Sequence, residues 1–109
     1  KLDKREASID WNENAGTIER KIRAFNPVPG ASTLLQGGVL KIWRASLAPG
    51  LGAREPGEVC DADSTGITVA CATGGALKLI ELQRAGGKRL PASAFLAGCP
   101  VQPGDRLGR

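Results

Sequence analysis

The chain has 109 residues, a hydrophobic fraction of 41% and a formal net charge of +4, which suit a single globular domain. It contains no histidine, which excludes catalysis by an imidazole base and most zinc sites. No apolar run approaches the ~18 residues of a membrane span, so we expect no membrane partner. We also expect no catalytic, cofactor-binding or metal-binding residue in this chain, and a monomer.

The first ten residues are polar and highly charged. The segment KLDKREASID has no apolar period and indicates a basic linker, with the folded domain over residues 11–109. A charged start of this kind differs from a secretory signal peptide, so we expect none. The three cysteines, interpreted as reduced, indicate a cytoplasmic protein. The chain starts at Lys1 and lacks methionine, and we therefore expect it to be part of a longer protein.

One helix is predicted over residues 15–25. An apolar stripe recurs there at the spacing of one helix face, formed by Ile18, Ile22 and Phe25. Asn14 is the expected N-cap, because its side-chain oxygen can accept a free amide of the first turn. The helix is expected to stop at Asn26, because the following Pro27 disfavours helical geometry there.

The middle of the chain predicts short antiparallel strands joined by tight turns. Alternating apolar and polar residues are typical of half-buried strands, and Gly-Gly pairs supply the positive φ of two-residue hairpin turns. The predicted strands cover 32–36, 39–47, 57–61, 67–72, 77–83 and 88–90, with Gly pairs at 37–38, 74–75 and 86–87. Within 39–47, Lys41 and Trp43 are expected on one face and Ile42 and Arg44 on the other.

The end of the chain predicts a short helix over 92–97 and, after the turn Pro103-Gly104-Asp105, a last short strand. The fold class is therefore mainly β, with five or six short strands and two helices. We predict a small antiparallel β-barrel of the oligonucleotide-binding (OB) type, because closing the sheet removes its unpaired edges. Such barrels bind backbone phosphates through basic strands and loops.

The three cysteines do not indicate a metal site. Cys60, Cys71 and Cys99 form no C-x-x-C pair, so we interpret them as reduced, small apolar residues, with a disulfide or reactive thiol as the alternative.

The whole excess of positive charge lies after residue 75. A local basic excess favours an anionic partner, and a solvated surface is the other interpretation.

Six segments, in this order, resemble the C-terminal domain of methionyl-tRNA formyltransferases. The resemblance covers nearly the whole chain, and residues 1–7 are also similar to the basic linker between the two domains of that family. The segments are Ile9-Asp10-Trp11, Ile22 to Ala31 (IRAFNPVPGA), Leu40-Lys41-Ile42-Trp43, Pro56-Gly57-Glu58-Val59, Gly66 to Cys71 (GITVAC) followed by Leu79 to Gln83, and Gly87-Lys88-Arg89 with Ala94-Phe95-Leu96.

The resemblance implies a transferase that moves a formyl group from 10-formyltetrahydrofolate to the methionine amino group of initiator methionyl-tRNA. In the family the Asn, His and Asp that carry this chemistry belong to an N-terminal domain. The chain alone is therefore expected to be inactive and to have no cofactor of its own. Its implied partners are the tRNA, held largely by its backbone, and its own N-terminal domain.

Nine basic residues are the candidate tRNA contacts. Lys88 and Arg89 are the preferred pair, because two adjacent cations beside Gly86 and Gly87 can both approach a phosphate backbone. Trp43 is interpreted as a packing residue and not as a platform for a base. The candidates at the domain junction are Lys1, Lys4 and Arg5, and those on the barrel are Lys41, Arg44, Lys78, Arg84, Lys88 and Arg89.

Other functions stay open at this point. Each candidate cation can instead be a solvated surface charge. The domain can also serve mainly to pack against and stabilise its own N-terminal domain. A third possibility is the similar domain of a formyltransferase that acts on nucleotide sugars or folate and has no role with RNA.

Overall fold

Six antiparallel strands and two α-helices make up the part of the chain that the computed structural model describes, residues 4–50, 52 and 54–108. The mainly β class predicted from the sequence is confirmed. Helix α1 covers Ala15–Ala24 and helix α2 covers Ala92–Gly98, after a short 3-10 helix at Lys4–Ala7. The strands are β1 Ala31–Leu35, β2 Gly38–Ala48, β3 Val59–Asp63, β4 Gly66–Ala70, β5 Ala76–Arg84 and β6 Leu90–Pro91.

Helix α1 forms where the apolar period predicted it. Ile18 and Ile22 are buried against the sheet, while Phe25 is buried just beyond the last helical residue. The side-chain oxygen of Asn14 accepts the backbone N–H of Thr17 at 2.8 Å, as expected of an N-cap. This bond satisfies one of the amides that have no partner inside the helix.

Asn14→Ala is expected to lower the free energy of unfolding by about 1 kcal/mol, because the Thr17 amide loses its acceptor. Urea denaturation followed by circular dichroism measures the change. Asn12→Ala is the matched control, because Asn12 is exposed and outside the helix, and it should change stability by less than about 0.5 kcal/mol. An equal loss in both variants would show that the Asn14 cap contributes no more to the free energy of unfolding than an exposed asparagine outside the helix.

Two of the three predicted Gly-Gly turns form one residue earlier than expected. The β1–β2 turn uses Gln36 and Gly37, with φ of 52° and 81°, and Leu35 is paired with Gly38 in the sheet. Thr73 and Gly74 likewise have φ of 60° and 78° between β4 and β5. Two consecutive positive φ values are what a tight hairpin turn needs, and only the strand register decides which two residues supply them.

The sheet is open, with the order β1-β2-β5-β4-β3 and with β6 paired to the far end of β5. A closed barrel, as predicted, would require β1 and β3 to pair with each other. Instead the C-terminal segment lies between them, where Leu107 forms a bridge with Leu35 and Arg106 forms one with Glu58. The Leu107 amide donates to the Gly57 carbonyl at 2.8 Å, and the Gly108 amide donates to the Leu34 carbonyl at 2.8 Å. The two edges are thus joined by isolated bridges, which also account for the short strand predicted at the end of the chain.

Two bulges in the β2–β5 ladder change which side chains share a face. Ile42 is opposite Leu82, Arg44 is opposite Glu81, and Ala45 is opposite Leu79, with a register shift on each side of Arg44. The predicted placement of Arg44 on the Ile42 face is therefore wrong. Each bulge inserts one unpaired residue, and this reverses the alternation that a regular strand would have.

The predicted strand at 57–61 begins two residues later, at Val59. Gly57 has φ of +93°, which is incompatible with extended strand geometry, and its amide instead donates to the Ala70 carbonyl at 2.9 Å. A Cβ at this position would lie 2.8 Å from the Leu107 carbonyl oxygen. Gly57 therefore allows the C-terminal segment to approach β3 closely.

The core lies between α1, the inner face of the sheet and α2. Its largest fully buried side chains come from all three, with Phe95 contributed by α2 and Leu107 closing the core from the C-terminal segment. Ala7 and Ile9 are also buried, so the described end of the charged N-terminal segment packs on the domain. Neither helix in the described ranges has the length and hydropathy needed to span a membrane.

Candidate nucleic-acid interface

Three of the candidate cations lie on the outer face of the β2–β5 pair. Lys41 is opposite Gln83, Arg44 is opposite Glu81, and Ser46 is opposite Lys78. Core residues occupy the intervening positions on the other face, since Leu40, Ile42, Leu79 and Leu82 are buried. The bulges bring Arg44 to the same side as Lys41, so these residues and Arg89 form one surface. We call Lys41, Arg44, Lys78 and Arg89 the basic face.

Arg89 is held on this face by Trp43. The centre of its guanidinium lies 4.0 Å from the centroid of the indole, and the Lys41 ammonium lies 5.6 Å from it. A cation over an aromatic face is attracted by the quadrupole of the ring. Trp43 is buried, as predicted for a packing residue, but it packs outside the main core cluster and beneath the cations.

Gln83 connects the indole to the turn that precedes Arg89. The Trp43 Nε1–H donates to Gln83 Oε1 at 2.9 Å, and Gln83 Nε2 donates to the Gly87 carbonyl at 2.9 Å. Sequence reasoning missed Gln83, whose only signal was a polar position in an apolar strand. Asn26 was also missed as a contact of this cluster; its Nδ2 donates to the Trp43 carbonyl at 3.0 Å.

Gly30 explains how the indole is covered from the α1–β1 loop. Its φ is +88°, and a Cβ there would lie 2.8 Å from Trp43 Cη2. The adjacent Pro29 carbonyl accepts the Lys41 ammonium at 3.0 Å. Loop 26–30 and strand β2 therefore enclose Trp43 together, and only a glycine allows this approach.

Acidic side chains limit the positive charge of the basic face. Glu81 Oε1 lies 3.9 Å from Arg89 Nη1. Near Lys78, hydrogen bonds from Thr65 lower the pKa of the Asp63 carboxyl, and the Lys78 charge adds a smaller contribution. Within the described ranges, Arg44 and Lys78 form no ion pair.

Arg84 and Lys88 lie apart from the outer face. Arg84 is opposite the buried Leu40 and therefore points toward the end of the core. Together with Lys88, Phe95 and Cys99 it lines a cavity of about 120 Å³, and a second cavity of about 140 Å³ lies on its other side. The six candidates on the sheet and its turns thus fall into two neighbouring groups, which the turn 85–89 connects. Lys1 and the side chains of Lys4 and Arg5, the junction candidates, lie outside the described residues.

The three cysteines are free and buried, in agreement with their interpretation as small apolar residues. Burial raises the pKa of the Cys71 thiol to about 12, and burial is also the main cause of the raised pKa of Cys60. Both thiols are therefore protonated at neutral pH and poorly nucleophilic. No group of three His, Cys, Asp or Glu side chains within the described ranges is arranged to hold a metal ion.

Known proteins match almost the whole chain. Residues 1–100 match the family described as "Formyl transferase, C-terminal domain". Among curated relatives, the methionyl-tRNA formyltransferase of Thiobacillus denitrificans is 55% identical over 109 residues, which is 99% of this chain and 35% of the relative. That of Dechloromonas aromatica is 50% identical over 107 residues, which is 98% of this chain and 34% of the relative. The chain spans about a third of the length of these relatives.

A solved structure shares the fold. HypX from Aquifex aeolicus, in complex with tetrahydrofolic acid, superposes with a TM-score of 0.74 over 88% of this chain and 17% of that chain, at 23% identity. At this identity the likeness concerns the fold alone. The family match over residues 1–100 and the two relatives at 50% identity or more are stronger, and they confirm the resemblance seen in the segments. The chain therefore belongs to the formyl transferase C-terminal domain family.

Proposed function

We propose that this chain is the tRNA-binding C-terminal domain of a bacterial, cytoplasmic methionyl-tRNA formyltransferase. It holds initiator methionyl-tRNA through backbone phosphates while an N-terminal domain transfers the formyl group from 10-formyltetrahydrofolate. The observation that carries the proposal is the clustering of Lys41, Arg44, Lys78 and Arg89 on one face of the sheet. The curated relatives, which are named for a tRNA substrate, support it.

Phosphate contact suits this face better than recognition of bases. The cations are spread along two strands and one turn, where they can follow a backbone, and such contacts orient an RNA without reading its sequence. The aromatic ring at the centre, Trp43, is already covered by Arg89 and offers no open surface for a stacked base. We therefore expect similar affinity for initiator and elongator tRNA from this chain alone, so that selectivity comes from another domain.

The formyl donor fits the proposed N-terminal domain better than this chain. The sequence contains no histidine, although a histidine takes part in the chemistry that the family resemblance implies. We therefore place the folate donor in the N-terminal domain and expect no formyl transfer by the chain alone.

A titration of the chain with fluorescently labelled initiator methionyl-tRNA at several salt concentrations tests the proposal. We expect a Kd of about 10⁻⁴–10⁻⁶ M, which rises steeply with salt, by about 0.7–0.9 logarithmic units per phosphate contact for each tenfold increase. Elongator tRNA of similar length is the matched control. No binding at low salt, or binding that salt does not change, would contradict the electrostatic role.

One observation favours a second function, packing against another protein domain. Leu34 and Val39 are opposite each other in the β1–β2 ladder and are 38% and 48% exposed. Contiguous exposed apolar surface can mark a contact with another protein, and the side chains of directly opposed strand residues lie next to each other. The role is compatible with RNA binding, because this pair lies on the β1–β2 hairpin while the basic face lies on β2 and β5. Without salt-dependent tRNA binding, packing would be the main function, as in a formyltransferase for nucleotide sugars or folate.

A further inference from the structure

Trp43 occupies an unusual place for a large apolar residue. It is 8% exposed, yet it does not belong to the core cluster between the helices and the sheet. Its cover consists of the loop at Gly30 and of two charged side chains, Lys41 and Arg89. Burying an indole beneath cations on the outer face does little for the core, and this suggests a role in holding the cations.

The contacts of Trp43 converge on the turn that carries Lys88 and Arg89. Its indole N–H donates to Gln83, and the Gln83 amide donates in turn to the Gly87 carbonyl, each at 2.9 Å. A glutamine can make this connection because its side chain has both an acceptor and a donor. The relay ties the backbone just before Lys88 to the ring that stacks on Arg89.

Arg89 keeps the capacity to bind an anion while it is stacked. Ring contact occupies the flat face of a guanidinium, but its N–H donors lie in the plane and point outward. Glu81 Oε1 is 3.9 Å from Arg89 Nη1, which is too long for a hydrogen bond. The Arg89 side chain is 44% exposed, so an incoming phosphate can reach these donors.

We infer that Trp43 and Gln83 are positioning residues that hold Arg89 and its turn ready for a phosphodiester of an RNA backbone. The inference rests on the proposed function and names the residues that organise its site. A long arginine side chain loses conformational freedom when it binds, and a side chain that is already ordered loses less. The contacts of Trp43 and Gln83 thus order the Arg89 side chain before it binds a phosphate.

A double-mutant cycle between Gln83 and Arg89 tests the inference by tRNA titration. The variants are Gln83→Leu, Arg89→Ala and their combination, because Gln83→Leu removes the relay without changing the charge or the ring. We expect Arg89→Ala to weaken binding about 3- to 10-fold in the unchanged chain but less than about 2-fold in the Gln83→Leu chain. Arg20→Gln is the control, since it removes an exposed charge on α1. Its effect on tRNA binding should be the same in the unchanged chain and in the Gln83→Leu chain.

Fluorine NMR observes the environment of Trp43 directly. The chain has two tryptophans, Trp11 and Trp43, so incorporation of 5-fluorotryptophan should give two ¹⁹F signals, of which Trp43→Phe removes one. Trp11 is buried and donates its indole N–H to Thr33 Oγ1 at 2.9 Å, remote in the sequence from the basic face. Addition of tRNA is expected to shift the Trp43 signal and not that of Trp11, and Arg89→Ala should abolish the shift.

The outcomes separate this inference from the function on which it rests. An equal effect of Arg89→Ala in both backgrounds, or a Trp43 signal that saturating tRNA leaves unchanged, would overturn the positioning role while salt-dependent binding stands. The absence of salt-dependent binding by the unchanged chain would overturn both. Circular dichroism of each variant identifies losses of binding that are caused by unfolding. Trp43→Phe keeps an aromatic ring for Arg89 and should therefore weaken tRNA binding less than Trp43→Leu.

Discussion

The double variant Lys88→Glu with Arg89→Glu is expected to bind initiator tRNA about 10- to 100-fold more weakly than the unchanged chain at low salt. Two cations carried by one turn, Arg89 on the basic face and Lys88 beside Arg84, are replaced by two charges that repel the backbone. Arg89 also lies near Glu81, so its replacement by glutamate adds a second source of negative charge on the basic face. The dependence of log Kd on log salt should become shallower by about 1.4–1.8.

A charge-matched variant isolates the position of the charges from their number. Arg20→Glu with Arg23→Glu changes the net charge by the same amount, and both residues are exposed on α1. It should weaken binding by less than about 3-fold, because α1 packs on the core side of the sheet and the basic face lies on the other side. Equal weakening by the two double variants would show that only net charge matters and would remove Lys88 and Arg89 from the site.

Leu107→Ala is expected to lower the free energy of unfolding by about 2–4 kcal/mol. The side chain is 5% exposed and belongs to the core cluster, and it is carried by the segment that joins β1 to β3. Its truncation leaves a cavity at the seam of an open sheet, where the neighbouring backbone is held by isolated bridges and not by a full ladder. Urea denaturation measures the loss.

Gln102→Ala is the control for this variant, because Gln102 is exposed on the same segment and should change stability by less than about 0.5 kcal/mol. Hydrogen exchange adds a local readout. The Leu107 and Gly108 amides, which donate to the Gly57 and Leu34 carbonyls, should exchange faster in Leu107→Ala than the amides at the centre of β5. A loss below about 1 kcal/mol would mean that the C-terminal segment covers the core but contributes little to the free energy of unfolding.

Much of the fold could be predicted from the sequence because its elements depend on neighbouring residues. The apolar stripe on Ile18 and Ile22 and the cap at Asn14 indicate α1, and the structure confirms both. The glycine pairs indicate the hairpins, but the turns include Gln36 and Thr73 in place of the second glycine. The error is one residue each time, because the position of a turn follows from the pairing of the flanking strands and not from the turn sequence alone.

The candidate site was less predictable, because its contacts join residues far apart in the chain. The Trp43–Gln83 and Trp43–Arg89 contacts each span about forty positions, and nothing local in the sequence marks Gln83 as a partner. The face of Arg44 was predicted wrongly because the alternation of apolar and polar residues along a strand does not indicate where a bulge lies. The tRNA contacts themselves remain a prediction.

The sequence by itself determined the class of the fold, the positions of most elements and the family, through local periodicity, turn residues and the order of six segments. Only the tertiary structure decided which cations share a surface, where Arg84 points, and how the two edges of the open sheet are joined. The physical reason is that strand register, bulges and the docking of residues 104–108 against Gly57 and Leu34 depend on packing across the whole domain. Lys41 and Arg44 share a surface with Lys78 only because β2 and β5 pair.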